Sequence, residues 1–454
     1  MSTLVLLNQA LRLRDNPLLN AGSGTLHAVV VLDKAQFFGK QYGLYRANLW
    51  RLNQQIQAIL QLQQALATKQ IGLILRFGDT TSTLQALANE LNATTLIAAE
   101  PTSPHEYAAL QQLAGPITLT LIDCNSLFGA ALRLDINRVP DRFTAFRKNH
   151  EPLLQVSLPV PPFIPRSEQH WLTPQQAEHH HANWSALDDY RHASSAATPP
   201  IITETAAWQR LQQYIWQEQH ILHYKETRNA LQGEHYASFF SSALALGSLS
   251  TRDLWQQIVE FEQQVQANDS TYWLKFELLW REFFRWQMRK YQSRWFSQTG
   301  IKGQPNFQPP QLTATQRRKF AAWCAGQTGI PFVDANMRLL NQSGLMSNRG
   351  RQNVASYLIH DLAIDWRLGA AYFEQRLLDY ECASNWGNWA YIAGYGNSEA
   401  RPFNMIKQAL AYDPKADFVR HMLPELTAKD KTAHRPQANT PIPAQWHNWL
   451  KELD

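Results

Sequence analysis

Two segments in the second half of the chain combine charged, amide and aromatic side chains that suit chemistry on a flat aromatic ligand. Residues 346–356 place an amide and two guanidinium groups on one turn of a predicted helix: Asn348, Arg349 and Arg351. Residues 379–389 follow about a helix later and contain Asp379, Tyr380, Glu381, Asn385, Trp386 and Trp389. Guanidinium, amide and indole groups held in fixed positions are suited to a buried, redox-active aromatic cofactor.

A third segment places hydroxyl groups where a loop enters a predicted helix. Residues 224–229 begin with Tyr224, and the following stretch contains Ser238, Phe239, Phe240 and Ser241. Backbone amides and hydroxyl groups at such a junction can bind phosphate. Taken singly, serines in this position are usually helix caps.

A fourth segment, residues 270–284, is a predicted helix with a carboxylate on its apolar side. Glu277, Trp280 and Arg281 share a face because residues three and four apart are neighbours on a helix. A plain amphipathic helix is the alternative interpretation. It does not explain Glu277 on a stripe that otherwise contains Phe276, Trp280 and Phe284.

The first part of the chain predicts an α/β fold that could support these segments. Short apolar runs alternate with helical periodicity over residues 45–67 and 82–91; the runs are 4–7, 27–32, 71–77, 95–99 and 117–122. This alternation predicts a parallel, doubly wound sheet. The glycines at residues 22–24 precede a strand instead of following one, so they indicate a turn and not a dinucleotide fingerprint.

The rest of the chain predicts a connector and a large all-α domain. Residues 151–203 are rich in Pro, His, Ser and Ala, and residues from 206 onward show helical spacing of apolar residues. The predicted organisation is an α/β domain at 1–130, a linker at 131–204 and a helical domain at 205–454. The run His179, His180 and His181 lacks further ligands nearby and is expected to be a solvated loop, so no metal site is predicted.

Composition limits the class of protein. The chain has 454 residues, 44% hydrophobic and 17% charged, with a net charge of +5. These values describe a globular protein of more than one domain, and the mild positive charge permits an anionic partner. Three dispersed cysteines and a start without a basic leader predict a reduced, cytoplasmic compartment. No apolar run approaches membrane-spanning length.

Taken together, residues 224–229, 237–250, 270–284, 346–356, 379–389 and 401–408 resemble the photolyase/cryptochrome family in its DASH-type branch. The resemblance covers essentially the whole chain and implies FAD folded inside the helical domain. The implied cofactor-binding residues are Tyr224, Ser238, Phe239, Phe240, Ser241, Arg281, Asn348, Arg351, Asp379, Tyr380, Glu381 and Asn385. The implied catalytic residues are Glu277, Asn385, Trp389 and Trp366. The implied DNA-binding residues are Glu277, Trp280, Asn348, Arg349 and Tyr391.

The chain departs from the family pattern at several positions. Ala237 replaces the usual first hydroxyl of the phosphate loop, Ser242 replaces a proline, and Glu381 replaces an aspartate. Trp389 and Trp366 align with the inner two members of the family's tryptophan electron-transfer chain. The outermost member would lie near Thr313, where this sequence has no tryptophan. Trp323 or Trp295 could take its place, or the chain of donors could leave by another route.

The N-terminal domain offers a possible antenna contact. Glu100 follows the fourth apolar run and resembles a glutamate that binds a folate antenna, methenyltetrahydrofolate, in DASH-type proteins. Ligands bind at the carboxyl ends of strands in open α/β sheets. Pro104 and His105 stand where the family usually has acidic residues, so a plain strand-to-helix loop is an equal alternative.

The resemblance implies a blue-light-driven, FAD-dependent enzyme that repairs cyclobutane pyrimidine dimers, preferentially in single-stranded or melted DNA, as a monomer. One alternative is a photosensory protein that photoreduces FAD without repair. Another is a light-independent nucleic-acid binder that retains flavin. The sequence ends soon after residues 401–408, which is expected to leave no long signalling tail.

Overall fold

The computed structural model describes residues 2–115, 117–128, 135–156, 159–190, 202–428 and 430–453. Its strands are β1 (Ser2–Leu6), β2 (Gly24–Asp33), β3 (Lys40–Gln41), β4 (Leu44–Tyr45), β5 (Leu73–Gly78), β6 (Ala93–Ala99), β7 (Thr118–Ile122) and β8 (Gln169–Trp171). The main sheet has the order β5-β2-β1-β6-β7, all pairs are parallel, and β3 and β4 form a separate antiparallel pair. This is the doubly wound α/β domain that the sequence predicts.

The five predicted apolar runs all form strands of the main sheet, and burial is greatest in the central strands β1 and β2. Leu4, Val5, Val29 and Val30, for example, have no solvent exposure. The helix predicted from residue 45 begins later, at Leu49. Asn48 caps it by accepting a hydrogen bond from the Arg51 backbone N–H, while Leu44–Tyr45 form β4.

The helices before residue 200 are α1 (Pro17–Asn20), α2 (Lys34–Phe38), α3 (Leu49–Ala67), α4 (Thr80–Glu90), α5 (Pro104–Gln111), α6 (Phe143–His150) and α7 (Pro174–Glu178). Those after it are α8 (Glu204–Leu211), α9 (Tyr224–Thr227), α10 (Ser241–Leu246), α11 (Thr251–Gln264), α12 (Asp269–Tyr291), α13 (Ala314–Ala325), α14 (Pro331–Ser343), α15 (Asn348–Ser356), α16 (Trp366–Arg376), α17 (Cys382–Ala393), α18 (Met405–Tyr412), α19 (Asp417–Met422) and α20 (His447–Leu450). Helices dominate the second half of the chain, as predicted.

The connecting segment contains regular structure that composition did not reveal. β8 pairs in parallel with the start of β2, at Gly24, Thr25 and Leu26, and so extends the main sheet. α6 packs against α12 of the helical domain. The Pro-rich stretch 198–200, part of the predicted linker, lies outside the described residues.

The two domains are joined by buried charges. Asp15 forms an ion pair of 2.8 Å with Arg252 and also accepts a hydrogen bond from Ser250. Both ionic side chains are almost fully buried. Arg12 donates from its guanidinium to the side chain of Asn125 and to the backbone oxygens of Cys124 and Gly247. These bonds fix the helical domain against the sheet.

The largest apolar core lies in the helical domain. It includes the fully buried side chains of Trp295, Trp323, Trp386 and Trp446. Aromatic side chains bury large apolar areas, which explains most of the tryptophan content as packing. Among the described residues, no helix is both long and apolar enough to cross a membrane.

Candidate functional site

A cavity of about 460 Å³ opens into the helical domain. The predicted site residues that line it are Tyr224, Ser238, Phe239, Phe240, Ser241, Glu277, Trp280, Arg281, Asn348, Arg351, Asp379, Tyr380, Glu381, Asn385, Trp389 and Tyr391. They come from separate loops and helices across residues 224–391. The structure therefore brings residues from the segments 224–241, 270–284, 346–356 and 379–389 together around one cavity.

α12 provides one wall of the cavity. Its cap is Asn268, which accepts from the backbone N–H groups of Ser270 and Thr271 and so fixes where the helix starts. From that start, the spacing of α12 places Glu277, Trp280 and Arg281 along the cavity.

Glu277 is held by Arg228, a residue that sequence reasoning did not assign. The two groups form an ion pair of 2.7 Å, and both line the cavity. Burial raises the pKa of the Glu277 carboxyl, and the positive charge of Arg228 opposes part of this rise. Glu277 can therefore retain a proton at a higher pH than an exposed glutamate can.

Glu381 is at the centre of a cluster of charges. Its Oε1 accepts from Arg281 at 2.8 Å and from Arg285 at 2.7 Å, while its Oε2 accepts from the Ser384 hydroxyl at 2.6 Å. Burial by itself would raise the pKa of Glu381, but the two guanidinium groups lower it below the usual value. The Glu381 carboxylate thus lies between two arginines of α12.

Arg281 has more partners than the sequence indicates. Besides Glu381, its guanidinium donates to the Thr251 hydroxyl at 3.0 Å and to the backbone oxygens of Asn125 and Leu244 at 3.2 Å. It still lines the cavity. Arg281 therefore supplies positive charge to the cavity wall while also bonding to the α/β domain.

Arg351 and Asp379 form the predicted pair. Arg351 Nη2 lies 3.0 and 2.8 Å from the two carboxylate oxygens, and its Nε donates to the Met346 backbone oxygen at 2.9 Å. The Asp379 side chain is 5% exposed and that of Arg351 is 28% exposed. The pair thus has a buried carboxylate and a guanidinium that is accessible from the cavity.

α15 positions Arg351 through its N-terminal turn. Ser347 caps this helix by accepting from the Gly350 backbone N–H at 3.0 Å. A Cβ atom at residue 350 would lie 2.1 Å from the Asn336 side-chain oxygen, so only glycine allows the two segments to pack this closely. Asn348 begins the helix and lines the cavity beside Arg351.

Asn385 and Trp389 are neighbours on α17. The Asn385 Nδ2 donates to the Ala370 backbone oxygen at 3.0 Å, which orients the amide group. Trp389 packs so closely on α16 that a Cβ at Gly369 would lie 2.2 Å from its ring. An oriented amide and a buried indole, 3% exposed, thus line one side of the cavity.

The hydroxyl-rich loop forms the opposite side. Ser238, Phe239 and Phe240 precede α10, which begins at Ser241. Phe239 has φ of +60°, a left-handed conformation that is rare for a bulky residue. Arg210 stabilises the loop by donating to the backbone oxygens of Ala237 and Ser238. This anchoring holds the loop where the sequence predicts a phosphate cradle.

The mouth of the cavity is aromatic. Phe143 of α6 stacks on Trp280 with ring centroids 3.7 Å apart and an interplanar angle of 10°. Tyr391 meets Trp280 edge-on at 5.6 Å, and the Arg401 guanidinium lies 4.5 Å from the Tyr391 ring centroid. Sequence reasoning missed Phe143 as a neighbour because it lies 137 positions before Trp280.

Arg349 and Glu100 lie outside the set that lines the cavity. Arg349 donates to Asn229 and Gln352 and its guanidinium lies 4.4 Å from the Tyr412 ring. Glu100 immediately follows β6 and lies near Arg289, with the closest charged atoms 3.8 Å apart. These two residues were predicted for DNA and antenna binding, respectively, and both assignments stay predictions.

Trp366 also lies outside the cavity wall. Its ring lies edge-on to Trp386 at 5.8 Å, and its Nε1 donates to the Gln298 backbone oxygen. Trp389 contacts the ring of Phe373 at 5.1 Å and the indole of Trp323 at 6.1 Å. Trp295 is buried and donates to the Gln287 backbone. Of the two substitutes considered for the missing outer tryptophan, Trp323 therefore has the closer relation to the cavity.

Comparison with known proteins gives the class of this chain. Residues 3–163 match the family described as DNA photolyase, and residues 273–450 match the FAD binding domain of DNA photolyase. Cryptochrome DASH of Synechocystis sp. is 36% identical over 94% of this chain and 88% of its own length. Cryptochrome DASH of Xenopus laevis is 37% identical over 95% of this chain and 84% of its own length.

Solved structures agree with this assignment. A Synechocystis cryptochrome superimposes with a TM-score of 0.83 and 34% identity, covering 100% of this chain and 98% of that one. An archaeal photolyase from Sulfolobus tokodaii has the same fold at a TM-score of 0.74 and 22% identity, covering 100% of this chain and 98% of that one. The chain belongs to the photolyase/cryptochrome family, in the cryptochrome DASH branch.

The residues of the cavity fit FAD, which the matched domain binds. The hydroxyl groups and anchored loop at residues 237–241 and the nearby Arg281 are suited to a diphosphate. The accessible guanidinium of Arg351, the oriented amide of Asn385 and the aromatic wall are suited to a polar, flat ring system. The predicted cofactor is therefore consistent with the chemistry of the side chains that line the cavity.

Proposed function

We propose that this protein is a blue-light-driven photolyase that splits cyclobutane pyrimidine dimers, preferentially in single-stranded or locally melted DNA. The observation that carries the proposal is that Glu277 and Trp280 line the same cavity as the FAD-type residues. When bound and reduced, FAD supplies the light-driven electron transfer for a reaction that is redox-neutral overall.

Glu277 has the properties needed to bind a damaged base. Burial raises the pKa of its carboxyl, and the protonated form can donate a hydrogen bond to a pyrimidine carbonyl and stabilise negative charge that develops there. The contact of 2.7 Å with Arg228 keeps the side chain in one place in the cavity wall, so the carboxyl group is already oriented when the substrate enters.

Trp280 and Tyr391 supply the surface on which a base can stack. Base–aromatic stacking contributes roughly 1–3 kcal/mol per base. One face of Trp280 is already covered by Phe143, and Arg401 covers the Tyr391 ring, so less aromatic surface is left for the substrate. A dimer must leave the duplex stack to enter, at a cost of a few kcal/mol. Limited stacking surface therefore favours substrates that are already unpaired.

The mildly basic chain and Arg349 near the cavity would hold the DNA backbone. Contacts with phosphate give affinity that decreases as salt increases, without sequence preference. We also infer a reducing intracellular compartment, because the three cysteines are free and dispersed. We also infer that the protein acts as a monomer.

The test uses matched single- and double-stranded oligonucleotides that each carry one dimer. The photoreduced, FAD-loaded protein is illuminated with blue light, and repaired strands are measured over time, with a dark reaction as the control. We expect faster repair of the single strand. Glu277→Ala should lower repair of both substrates, whereas Glu226→Gln, on the nearby surface, should not.

The other outcomes assign the protein to other classes. Equal rates on both substrates would show a conventional duplex photolyase. Normal photoreduction of FAD without repair of either strand would favour the photosensory alternative. Binding of damaged and undamaged single strands with equal affinity, with no effect of light, would favour a light-independent nucleic-acid binder.

A further inference from the structure

A cluster of metal-ligating side chains lies outside the cavity, next to the loop that forms its phosphate side. It consists of Glu218, His220 and His235, whose ligand atoms all lie within 4.8 Å of one another. Glu218 and His220 follow a π-helical turn at Gln212–Gln217, and His235 immediately precedes the cavity-lining residue Tyr236. Sequence spacing did not reveal this cluster because 14 residues separate the two histidines.

The distances in the cluster fit a tetrahedral ion. The Glu218 Oε2 lies 3.1 Å from the His220 Nε2 and 3.8 Å from the His235 Nδ1. Zinc binds nitrogen and carboxylate oxygen at about 2.0–2.2 Å, which places neighbouring tetrahedral ligands about 3.3–3.6 Å apart. Small side-chain rotations would therefore bring all three atoms to bonding distance of one ion.

The carboxylate is oriented before any ion binds. The Glu218 Oε1 accepts from the Gln213 side chain at 2.8 Å, which leaves Oε2 turned toward the histidines. The hydrogen bond from Gln213 thus occupies one carboxylate oxygen and leaves the other available to a metal ion. Bonds of this kind to a ligating side chain raise metal affinity by fixing its geometry.

The two histidines of the cluster lie next to each other, and each has a ring nitrogen near the Glu218 carboxylate. Their rings stack with centroids 4.2 Å apart and an interplanar angle of 21°. A neutral imidazole has a lone pair for a metal ion. The His235 Nδ1 is shielded from solvent and has no hydrogen-bond partner among the described residues, while its side chain is 40% exposed as a whole.

We propose that Glu218, His220 and His235 bind a divalent transition-metal ion of the zinc type, with water completing the coordination. Such an ion would link Glu218 and His220, which follow the π-helical turn at Gln212–Gln217, to the start of the loop at residues 235–241. Arg210 already anchors the same loop through backbone oxygens. Occupancy of the site should therefore restrain the loop and slow the release of FAD.

Calorimetric titration of the FAD-loaded full chain with Zn²⁺, after removal of metals by a chelator, tests the site. We expect one saturable binding event that weakens at least about tenfold in His220→Ala and in His235→Ala. His179→Ala is the matched control, because His179 is an exposed histidine in the run 179–181 that could bind metal adventitiously. Equal affinity in the wild type and in both cluster variants, or loss of binding in the control alone, would overturn the proposal.

A second measurement tests the link to the loop without using enzyme activity. The rate of FAD release is followed by flavin fluorescence with and without saturating Zn²⁺. Zn²⁺ should slow release in the wild type and in His179→Ala, but not in His235→Ala. An identical rate with and without Zn²⁺ in the wild type would refute the restraint on the loop. Retention of FAD by each variant as purified shows that the helical domain has folded.

Discussion

Buried charges occur both around the cavity and between the two domains, but their partners differ. Between the domains, the Asp15 carboxylate has protein partners on both oxygens, from Arg252, Ser250 and the Val160 backbone N–H. At the cavity, the Asp379 side chain is buried, whereas the Arg351 side chain is 28% exposed. The contacts of Asp15 leave no room for a ligand, whereas the Arg351–Asp379 pair leaves a charged group that a ligand can contact.

This difference separates stability from binding. Removing one partner of a fully buried ion pair leaves an unpaired charge, which costs more than the pair itself contributes. A pair that opens into a cavity is partly solvated, so its loss affects the bound ligand more than the fold. Variants between the domains should therefore mainly lower the free energy of unfolding, whereas variants at the cavity should mainly lower FAD occupancy.

Asp15→Ala should have the largest effect on stability. It leaves the buried guanidinium of Arg252 without its carboxylate, and we expect a loss of about 3–5 kcal/mol in the free energy of unfolding. Urea unfolding followed by fluorescence measures the change. Asp417→Ala is the control, because its ion pair with Arg420 is exposed and should contribute less than about 1 kcal/mol. Equal losses in the two variants would contradict the comparison.

Arg351→Ala should release FAD. The Asp379 carboxylate would remain in the cavity without its cation, with a stability cost of about 3 kcal/mol and a much larger effect on FAD occupancy. The absorbance ratio of flavin to protein in the purified variant measures occupancy. Arg420→Ala, which removes an exposed arginine, should retain FAD. Full occupancy and unchanged thermal stability in Arg351→Ala would refute a role for the pair.

Trp389→Phe should reduce photoreduction of bound FAD by on the order of tenfold, equivalent to about 1.4 kcal/mol in the barrier. The substitution keeps an aromatic ring in the cavity wall but removes the indole that can donate an electron. Blue-light spectroscopy with an added thiol reductant measures the yield. Trp446→Phe, a buried tryptophan outside the cavity wall, is the control.

The same assay locates the path beyond Trp389. Trp366→Phe tests the inner neighbour implied by the family, and Trp323→Phe tests the ring that contacts Trp389 at 6.1 Å. We expect Trp323→Phe to reduce the yield more than Trp295→Phe does. If neither of these two matters, the electron leaves through another donor.

The smallest expected effect is the pH dependence of stability at the α/β domain. Arg289, paired with Asp123 at 2.5 Å, outweighs the effect of burial and lowers the pKa of this carboxyl to about 2. Burial raises the pKa of Glu106, which accepts a hydrogen bond from the Gln9 side-chain amide, to about 7. Ionised Asp123 therefore stabilises the fold above pH 4, and this stabilisation is lost as the pH falls toward 2. Ionisation of Glu106 has the opposite effect, because it destabilises the fold as the pH rises from about 4.5 to 7.

Glu106→Gln should abolish the loss of stability that ionisation of Glu106 causes between pH 4.5 and 7. Between pH 4.5 and 7 the wild type should lose about 1–2 kcal/mol more than the variant, allowing for partial exposure of Glu106. Urea unfolding at both pH values measures the difference, and Glu168→Gln, on the exposed surface, is the control. A pH profile in Glu106→Gln identical to that of the wild type would show that this carboxyl is not the titrating group.

The sequence by itself determined the two-domain architecture and most of the residues around the cavity. Apolar runs of strand length and helical periodicity are local signals, so the main strands and the helical half could be predicted. The motifs that contain Arg351, Asp379 and Asn385 are also contiguous, and their resemblance to one family was sufficient to place them in one pocket. Short elements such as β8, with three residues, have too weak a pattern to be recognised.

Only the tertiary structure decided how those residues are paired. The ion pair of Glu277 with Arg228, the stack of Phe143 on Trp280 and the contact of Trp323 with Trp389 join residues 49, 137 and 66 positions apart. Periodicity carries no information about such partners, because they depend on how separate helices pack. The same limit applied to Asp15, a buried anion between two domains whose partner Arg252 lies 237 positions later in the sequence.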